Sequence, residues 1–491
     1  MNDFLSKIWQ ACGDDASGKA AGDTVSTSAS SSSPASIRCA MPLISIEGHG
    51  SLPSVFPVSD LAAGAVASAG AATAEWINAR FGVLPAVQVD RRLSSLWFAT
   101  TIAPQGWALE ATWNAVAGDY ATRDGWIKLH TNARHHRDAA LKVLGVGVDK
   151  AAVRAAVSTW SGDDLEHAII EAGGCAARLR SMSLWAAHPQ GLALQGKPLV
   201  EIVGPTLSDA TRNGDRRQDG VDRLEGVRRD RPLAGVRVLD LTRVLAGPVC
   251  TRFLAGLGAD VLRIDPQWWQ EAGLEPETTP GKRCATLDLR SPRGLARLRE
   301  LITQADVLVH GWRPGALAGL GLDDAERRRL NPMLVDVSLN AYGWHGPWQG
   351  RRGFDSLVQM STGIAHEGMV RSGADHPVPL PVQALDHATG YILACAALRG
   401  LTRRLNQQTP TTARASLVQT AALLVAGERQ ASDDILVPAQ ADDYADAIEL
   451  TAWGPAKRLK PPLHIAGCPL HWEQGARRFR SDPVQWSHAA P

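Results

Sequence analysis

No uninterrupted apolar run in this chain approaches the ~18 residues that a membrane-spanning helix requires. The Ala-rich stretch from Leu61 to Ala74 is only weakly hydrophobic. The seven cysteines (Cys12, Cys39, Cys175, Cys250, Cys284, Cys395 and Cys468) are odd in number and widely spaced, without a C-x-x-C pair. That argues against a disulfide framework and fits a reducing compartment. Net charge is also nearly absent: a balance of +1 gives no overall field to attract nucleic acid or an anionic membrane. Any anionic ligand must then be gripped by a local cluster of cations. At the N-terminus, Asp3, Asp14 and Asp15 stand where a secretory signal would carry a basic n-region before an apolar h-region. A cytoplasmic location is expected.

The composition, 45% hydrophobic and 21% charged over 491 residues, suits two or three compact units. Residues 2–13 can form a short amphipathic helix, whereas 16–36 is dominated by Ser, Ala, Gly and Thr and is too polar and small to build a core. A second break spans 208–230, where Asp, Arg and Gly crowd together without apolar periodicity, as in a solvated linker. Beyond it the pattern alternates. Val236–Leu241, Asp260–Ile264, Asp306–His310 and Leu334–Leu339 read as strands, with helices over Gly247–Gly258 and Arg293–Thr303. This implies an α/β fold with a doubly wound, mostly parallel, Rossmann-like sheet, plus a smaller α+β domain. A dinucleotide-binding dehydrogenase shares that opening, but Leu241–Val249 holds one glycine and no G-x-G-x-x-G turn.

The chain also resembles itself. Asp60-Leu-Ala-Ala-Gly64 and Asp386-His-Ala-Thr-Gly390 both precede Ala-rich helices, at a spacing of 326 residues (386 − 60). The same spacing aligns Val87–Asp90 with Ala413–Ser416, which points to two partial copies.

Taken in order, the segment Pro232 to Pro248 (PLAGVRVLDLTRVLAGP), then Leu257–Asp265, Gly281–Leu289, Ala305–Gly315, Asn331-Pro332, Tyr342–Pro347, Gly353-Phe-Asp355, Gln359–Gly363 and Leu385-Asp386, resembles the family III CoA-transferases. The first half is similar to the later part of the same family, through Gly118-Asp-Tyr120, Asp124–His130, Trp160–Gly174 and His188–Gly191. The resemblance divides the chain into a disordered segment 1–45, a degenerate partial repeat with the small domain at 46–207, a linker 208–231, and a large domain with a C-terminal extension at 232–491.

The same resemblance implies an acyl-CoA:carboxylate CoA-transferase in which Asp386 attacks the thioester. The result is a mixed anhydride and then an aspartyl-CoA thioester. An ionised, accessible carboxylate is needed for this, and Asp386, following the extended stretch Pro377–Pro381, reads as an N-cap whose charge the helix dipole favours. CoA contacts are expected from the loop Val244, Leu245 and Ala246, from Lys282 and Arg283, from Gly311, Trp312 and Arg313, and from Asn340, Tyr342 and Gly343. Asp60 reads as a plain helix cap. The implied partners are acyl-CoA and carboxylic acid substrates and a second copy in a homodimer, with no tightly bound cofactor and no metal.

Three departures matter. Phe354 stands where the racemases of this family carry a catalytic histidine, which favours transfer over racemisation. Pro266 stands where some members have a CoA-contacting arginine, and no glycine-rich loop is evident. His130, His135 and His136 match no metal spacing and read as a polar helix start. The sixteen tryptophans read as packing rather than base stacking. The alternative class is a catalytically silent CoA-binding scaffold.

Overall fold

The computed structural model describes residues 2–13, 41–203, 227–271, 273–428 and 434–487. The expected disordered stretch 16–36 and most of the expected linker lie outside these residues. The segment 1–45 is not uniformly without structure, because helix α1 spans Asp3–Ala11 and strand β1 (Ile44–Glu47) begins before its end. Asn2 caps α1 by accepting from the amides of Phe4 and Leu5, and the helix buries Phe4, Leu5 and Ile8. Each fully buried side chain of this size contributes roughly 1.5–3 kcal/mol.

In the first half, α2 (Val58–Phe81) leads to β2 (Val87–Asp90), α3 (Arg91–Leu96) and β3 (Ile102–Pro104). The small domain follows. Strands β4 (Gly118–Thr122), β5 (Gly125–Leu129) and β6 (Ala176–Arg178) form an antiparallel sheet, with helices α4 (Arg134–Leu144), α5 (Lys150–Val157) and α6 (Gly162–Glu171). Strand β7 (Val200–Val203) then crosses into the second half.

There, β8 (Arg237–Leu241), α7 (Ala246–Gly256), β9 (Asp260–Asp265), β10 (Lys282–Thr286), α8 (Pro292–Gln304), β11 (Val307–His310), β12 (Val335–Asn340), α9 (Asp355–Thr362), α10 (Ala384–Gln407), β13 (Thr411–Ser416) and α11 (Leu417–Val425) follow in order. The seven-stranded sheet runs β10-β9-β8-β11-β12-β13-β7, and every pair is parallel except β13 with β7. Each strand expected in this half is present within one or two residues of its predicted bounds.

The apolar runs of these strands feed two cores, as strands buried on both faces require. Val238, Val307, Val309 and Val335 point toward α7 and α10, while their neighbours Leu239, Leu241 and Leu308 pack against Leu298, Leu301 and Ile302 of α8. The protein is thus a mixed α/β fold around a largely parallel sheet. No helix of the described residues is long and apolar enough to cross a membrane.

The spacing of 326 residues holds in three dimensions. Helices α2 and α10 are both 24 residues long and pack against each other. Both start after a residue near φ −76°, ψ 60° (Pro57 at −77°, 58°; Gln383 at −75°, 63°) and both end on a left-handed residue, Gly82 or Gln408. In each, the first amide bonds two residues back at 2.8 Å, Val58 to Phe56 and Ala384 to Val382. Downstream, Asp90 caps α3 as Ser416 caps α11. The C-terminal extension closes over the first half: β16 (Leu463–Ile465) pairs with β2, and the hairpin β14 (Glu449–Thr451) and β15 (Gly454–Arg458) extends to β3.

Candidate active site

Strand order reverses between β8 and β11, and a parallel sheet leaves a crevice at the carboxyl ends of such a pair. The loop leaving β8 is Arg243, Val244 and Leu245, and the loop leaving β11 is Gly311, Trp312 and Arg313. The guanidinium of Arg243 lies 5.6 Å from the Trp312 ring, so the structure brings these two predicted segments together. Val244 has φ 66°, and a β-branched residue in the left-handed region is strained. Its amide donates to Glu271 Oε1 at 2.7 Å. Leu245 and Ala246 then begin α7, where no side chain caps the helix.

Asp386 approaches this loop along its helix. Residues four apart share a helical face, and a Cβ placed on Gly390 would meet the Ala246 carbonyl at 2.6 Å. Asp386 therefore faces the start of α7. It is not the N-cap expected from the sequence; it is the third residue of α10, and the cap position is Gln383. The N-terminal amides are capped instead by Asp355, whose Oδ2 accepts from the Asp386 amide at 2.9 Å. Asp355 begins α9 and also accepts from Gln359, whose own Oε1 takes the Leu380 amide at 2.7 Å.

The expectation that Asp386 stays charged is corrected too. Its carboxyl is held well above the ordinary range, first by burial and then by the negative charge of Asp355. Burial pushes Asp355 up to about 6, against the hydrogen bonds it accepts and the charge of Lys128. The two carboxyls form one coupled pair that keeps a proton where an exposed carboxyl has lost it.

The repeat-related Asp60 is different. Its Oδ1 is ion-paired with Arg91 Nε at 3.0 Å, and Arg91 also bonds Ser51 and Gly50. The residue 326 positions after Arg91 is Leu417, so no cation answers Asp386 from that place. The docking partner of α2 is also replaced: Gly64, the counterpart of Gly390, is met by Phe4 and Asn2 of α1 where Gly390 is met by α7.

Several predicted contacts turn inward. Lys282 is fully buried, and its Nζ bonds Thr251 Oγ1 at 2.6 Å, the Pro248 carbonyl at 3.0 Å and Asp240 Oδ2 at 3.1 Å. A sequence pair Lys-Arg on a strand puts the two side chains on opposite faces, and it is Lys282 that points into the core. Arg283 is bound to Asp260 and to the Gln485 carbonyl of the C-terminal extension. Asn340 bonds the Gly343 backbone in both directions, at 2.8 and 2.7 Å, and the Tyr342 hydroxyl meets Ser361 at 3.0 Å inside the protein. These residues brace the crevice from within. Arg313 is exposed, with no ion pair among the described residues.

The small domain roofs the site. His130 stacks flat on Phe354, with ring centroids 3.7 Å apart, and His136 meets the same ring edge-on at 5.9 Å. Both imidazoles are buried, and burial pushes both down to about 3, so they are neutral. His135 and His136 do open helix α4, as expected from their spacing, but His130 and His136 are buried and of the three only His135 is exposed. No group of three or more metal-ligating side chains occurs among the described residues.

The sequence profile of CoA-transferase family III matches residues 233–437, which contain the β8 loop, the carboxyl pair and α10. That segment is similar to CoA-transferase family III. The chain is 33% identical to a succinyl-CoA:glutarate CoA-transferase of Mus musculus over 187 residues, covering 35% of this chain and 42% of that protein. It is 34% identical to a probable fatty acyl-CoA transferase of Mycobacterium tuberculosis over 188 residues, covering 35% and 47%. A crystal structure from M. tuberculosis is similar at 32% identity, covering 40% of this chain and 56% of that one with a TM-score of 0.37. The chain spans less than half the length of the curated relatives it matches.

Sequence reasoning missed Asp355, Arg243 and Glu271 as parts of the candidate site. Asp355 lay within a matched motif, directly after the Phe354 that replaces histidine. Glu271 follows β9 in an irregular loop and carries no sequence signal.

Proposed function

We propose that this protein is an acyl-CoA:carboxylate CoA-transferase that works through Asp386. The observation that carries this reading is the contrast between two equivalent carboxyls. Asp60 is neutralised by Arg91, while Asp386 is buried with no ion pair among the described residues, one helical turn from the residue that touches the Ala246 loop. A desolvated carboxylate lacking a counter-ion is a strong nucleophile once ionised, and Asp355 is placed to share its proton.

In the first half-reaction an Asp386 carboxylate oxygen attacks the thioester carbonyl. The C–S bond breaks, CoA leaves as thiolate, and a mixed anhydride forms. The thiolate then attacks the aspartyl carbonyl, expelling the donor acid as carboxylate and leaving an aspartyl-CoA thioester. The acceptor carboxylate reverses both steps. Positioning and water exclusion fall to α9 and to the small-domain roof of His130 and His136.

The strand order supports reading the sheet as Rossmann-like and doubly wound, with the division at 46–207 and 232–491 retained and the first half acting as roof and brace. A CoA thioester as substrate and no tightly bound cofactor complete the proposal, as do a cytoplasmic location and assembly as a homodimer. The CoA contacts we retain are the loop Val244–Ala246, Trp312 and Arg313.

The test is chemical trapping. Acyl-CoA with hydroxylamine, which turns an aspartyl thioester into the hydroxamate and releases CoA, or with tritiated borohydride, which reduces it to a labelled alcohol, is expected to mark the peptide containing Asp386. Absence of adduct in the wild type leaves a silent CoA-binding scaffold, and an equal adduct in Asp386→Ala overturns the role of Asp386.

A further inference from the structure

Arg243 is the last side chain before the strained Val244, and its guanidinium is walled by three indoles. It lies 4.4 Å from the Trp269 ring and 5.6 Å from both Trp268 and Trp312. Rings over its faces leave the edge donors as its free hydrogen-bonding surface. Its buried Nε has no partner, and no described residue forms an ion pair with it.

Nearby acceptors are already taken. Arg263 bonds Asp265 at 2.7 and 3.2 Å and Glu271 Oε2 at 3.1 Å. Glu271 Oε1 accepts from the Val244 amide at 2.7 Å and from Trp269 Nε1 at 2.6 Å. Asp265 and Glu271 still act on Arg243 through space and favour its charged form against burial, while Arg263 opposes it. A cation is thus held beside carboxylates whose hydrogen bonds go to its neighbours.

Two further features converge on it. The eleven-residue helix α7 starts two residues after Val244, at Ala246, with no side-chain cap, so its first amides are donors for an anion. On the small-domain side, Ala133, at the uncapped start of α4, packs in one cluster with Trp269 and Val244, and His135 meets Trp268 edge-on at 6.0 Å. Trp268 is 57% exposed, which leaves indole surface open beside the guanidinium. Cation, helix start and open aromatic face together fit a phosphorylated purine nucleoside better than a simple carboxylate.

We propose that Arg243, framed by Trp268, Trp269 and Trp312, binds a phosphate of the nucleotide end of a CoA thioester, with the Trp268 face available to the base. This rests on the CoA-transferase reading above and assigns the phosphate to a residue that neither Lys282 nor Arg283 can replace, since both are engaged elsewhere.

The test is calorimetric titration of the full chain with CoA, 3′-dephospho-CoA and pantetheine. Arg243→Ala is expected to weaken CoA about tenfold or more, the size of a lost charge-assisted hydrogen bond, and to leave pantetheine within about twofold. Trp268→Ala, at an exposed position, is expected to weaken CoA and dephospho-CoA about fivefold without affecting pantetheine. If the contact is the 3′-phosphate, dephospho-CoA binds the wild type as weakly as CoA binds Arg243→Ala; if it is the diphosphate, dephospho-CoA shows the same drop as CoA on substitution. Equal CoA affinity in wild type and Arg243→Ala overturns the proposal alone, as does a matching loss of pantetheine. Wild type that binds none of the three ligands overturns the CoA-transferase reading itself.

Discussion

The backbone amide of Val244 and the indole of Trp269 donate to the same atom, Glu271 Oε1, at 2.7 and 2.6 Å. One oxygen therefore fixes both a residue at φ 66° and the ring beneath Arg243. The other oxygen accepts from the buried Arg263. Glu271→Gln keeps the shape but turns an NH2 group toward a donor, which leaves buried groups unpaired at a cost of about 1–3 kcal/mol. Urea unfolding is expected to show that loss together with weaker CoA binding. Unchanged stability would mean that the loop holds its conformation without Glu271.

The carboxyl pair sets a pH dependence whose sign follows from its direction. In the unfolded chain Asp355 ionises at the ordinary ~3.9, while in the fold it titrates near 6. A carboxyl raised in this way contributes stability below its unfolded value and loses it as pH rises through the folded one. The wild type is thus expected to lose stability between about pH 4 and 6, and further where Asp386 titrates. Asp355→Asn abolishes this titration, which is linked to roughly 3 kcal/mol across that interval. Its stability relative to wild type should therefore improve by that order from about pH 4 to 7. The same variant removes the charge that raises Asp386, so the acid limb of kcat/KM should move to lower pH. A constant stability difference across the range, with an unmoved limb, would show that the two carboxyls are independent.

The strands of the large sheet were legible because they are short apolar runs bounded by turns, and the repeat because its spacing has no gap. What sequence could not give was direction. Lys282 and Arg283 are adjacent in a motif, yet a strand sends them to opposite faces. Asp386 reads as a cap because it follows prolines, yet the helix begins two residues earlier and Asp355, 31 residues away, supplies the cap. The stacking of His130 on Phe354 depends on how two halves of the chain meet, which no local pattern encodes.

Lys282 separates a structural role from a ligand contact. With Asp240, Thr242 and Thr251 it forms a closed network in which every donor finds an acceptor. Replacing Lys282 by Met leaves the fully buried Asp240 without its cation, and breaking such a pair costs about 3–5 kcal/mol. Thermal unfolding is expected to show that loss, with the folded fraction binding CoA within about twofold of wild type. A large fall in affinity at unchanged stability would instead return Lys282 to the ligand.

The two copies allow one substitution to be made twice. A Cβ at Gly390 would lie 2.6 Å from the Ala246 carbonyl and 2.7 Å from Val249, so Gly390→Ala must push α7 and its loop off α10. A Cβ at Gly64 would lie 2.7 Å from Phe4 Cβ and 2.8 Å from Asn2 Oδ1, so Gly64→Ala pushes only α1. Both changes overpack a tight contact, which costs about 1–3 kcal/mol. Similar losses of stability are expected, but only Gly390→Ala should raise the KM for acyl-CoA and lower kcat. Equal kinetic damage from both would place α1 and the Asp60 copy within the working site, because the clash at Gly64 reaches the Ala246 loop by no direct contact.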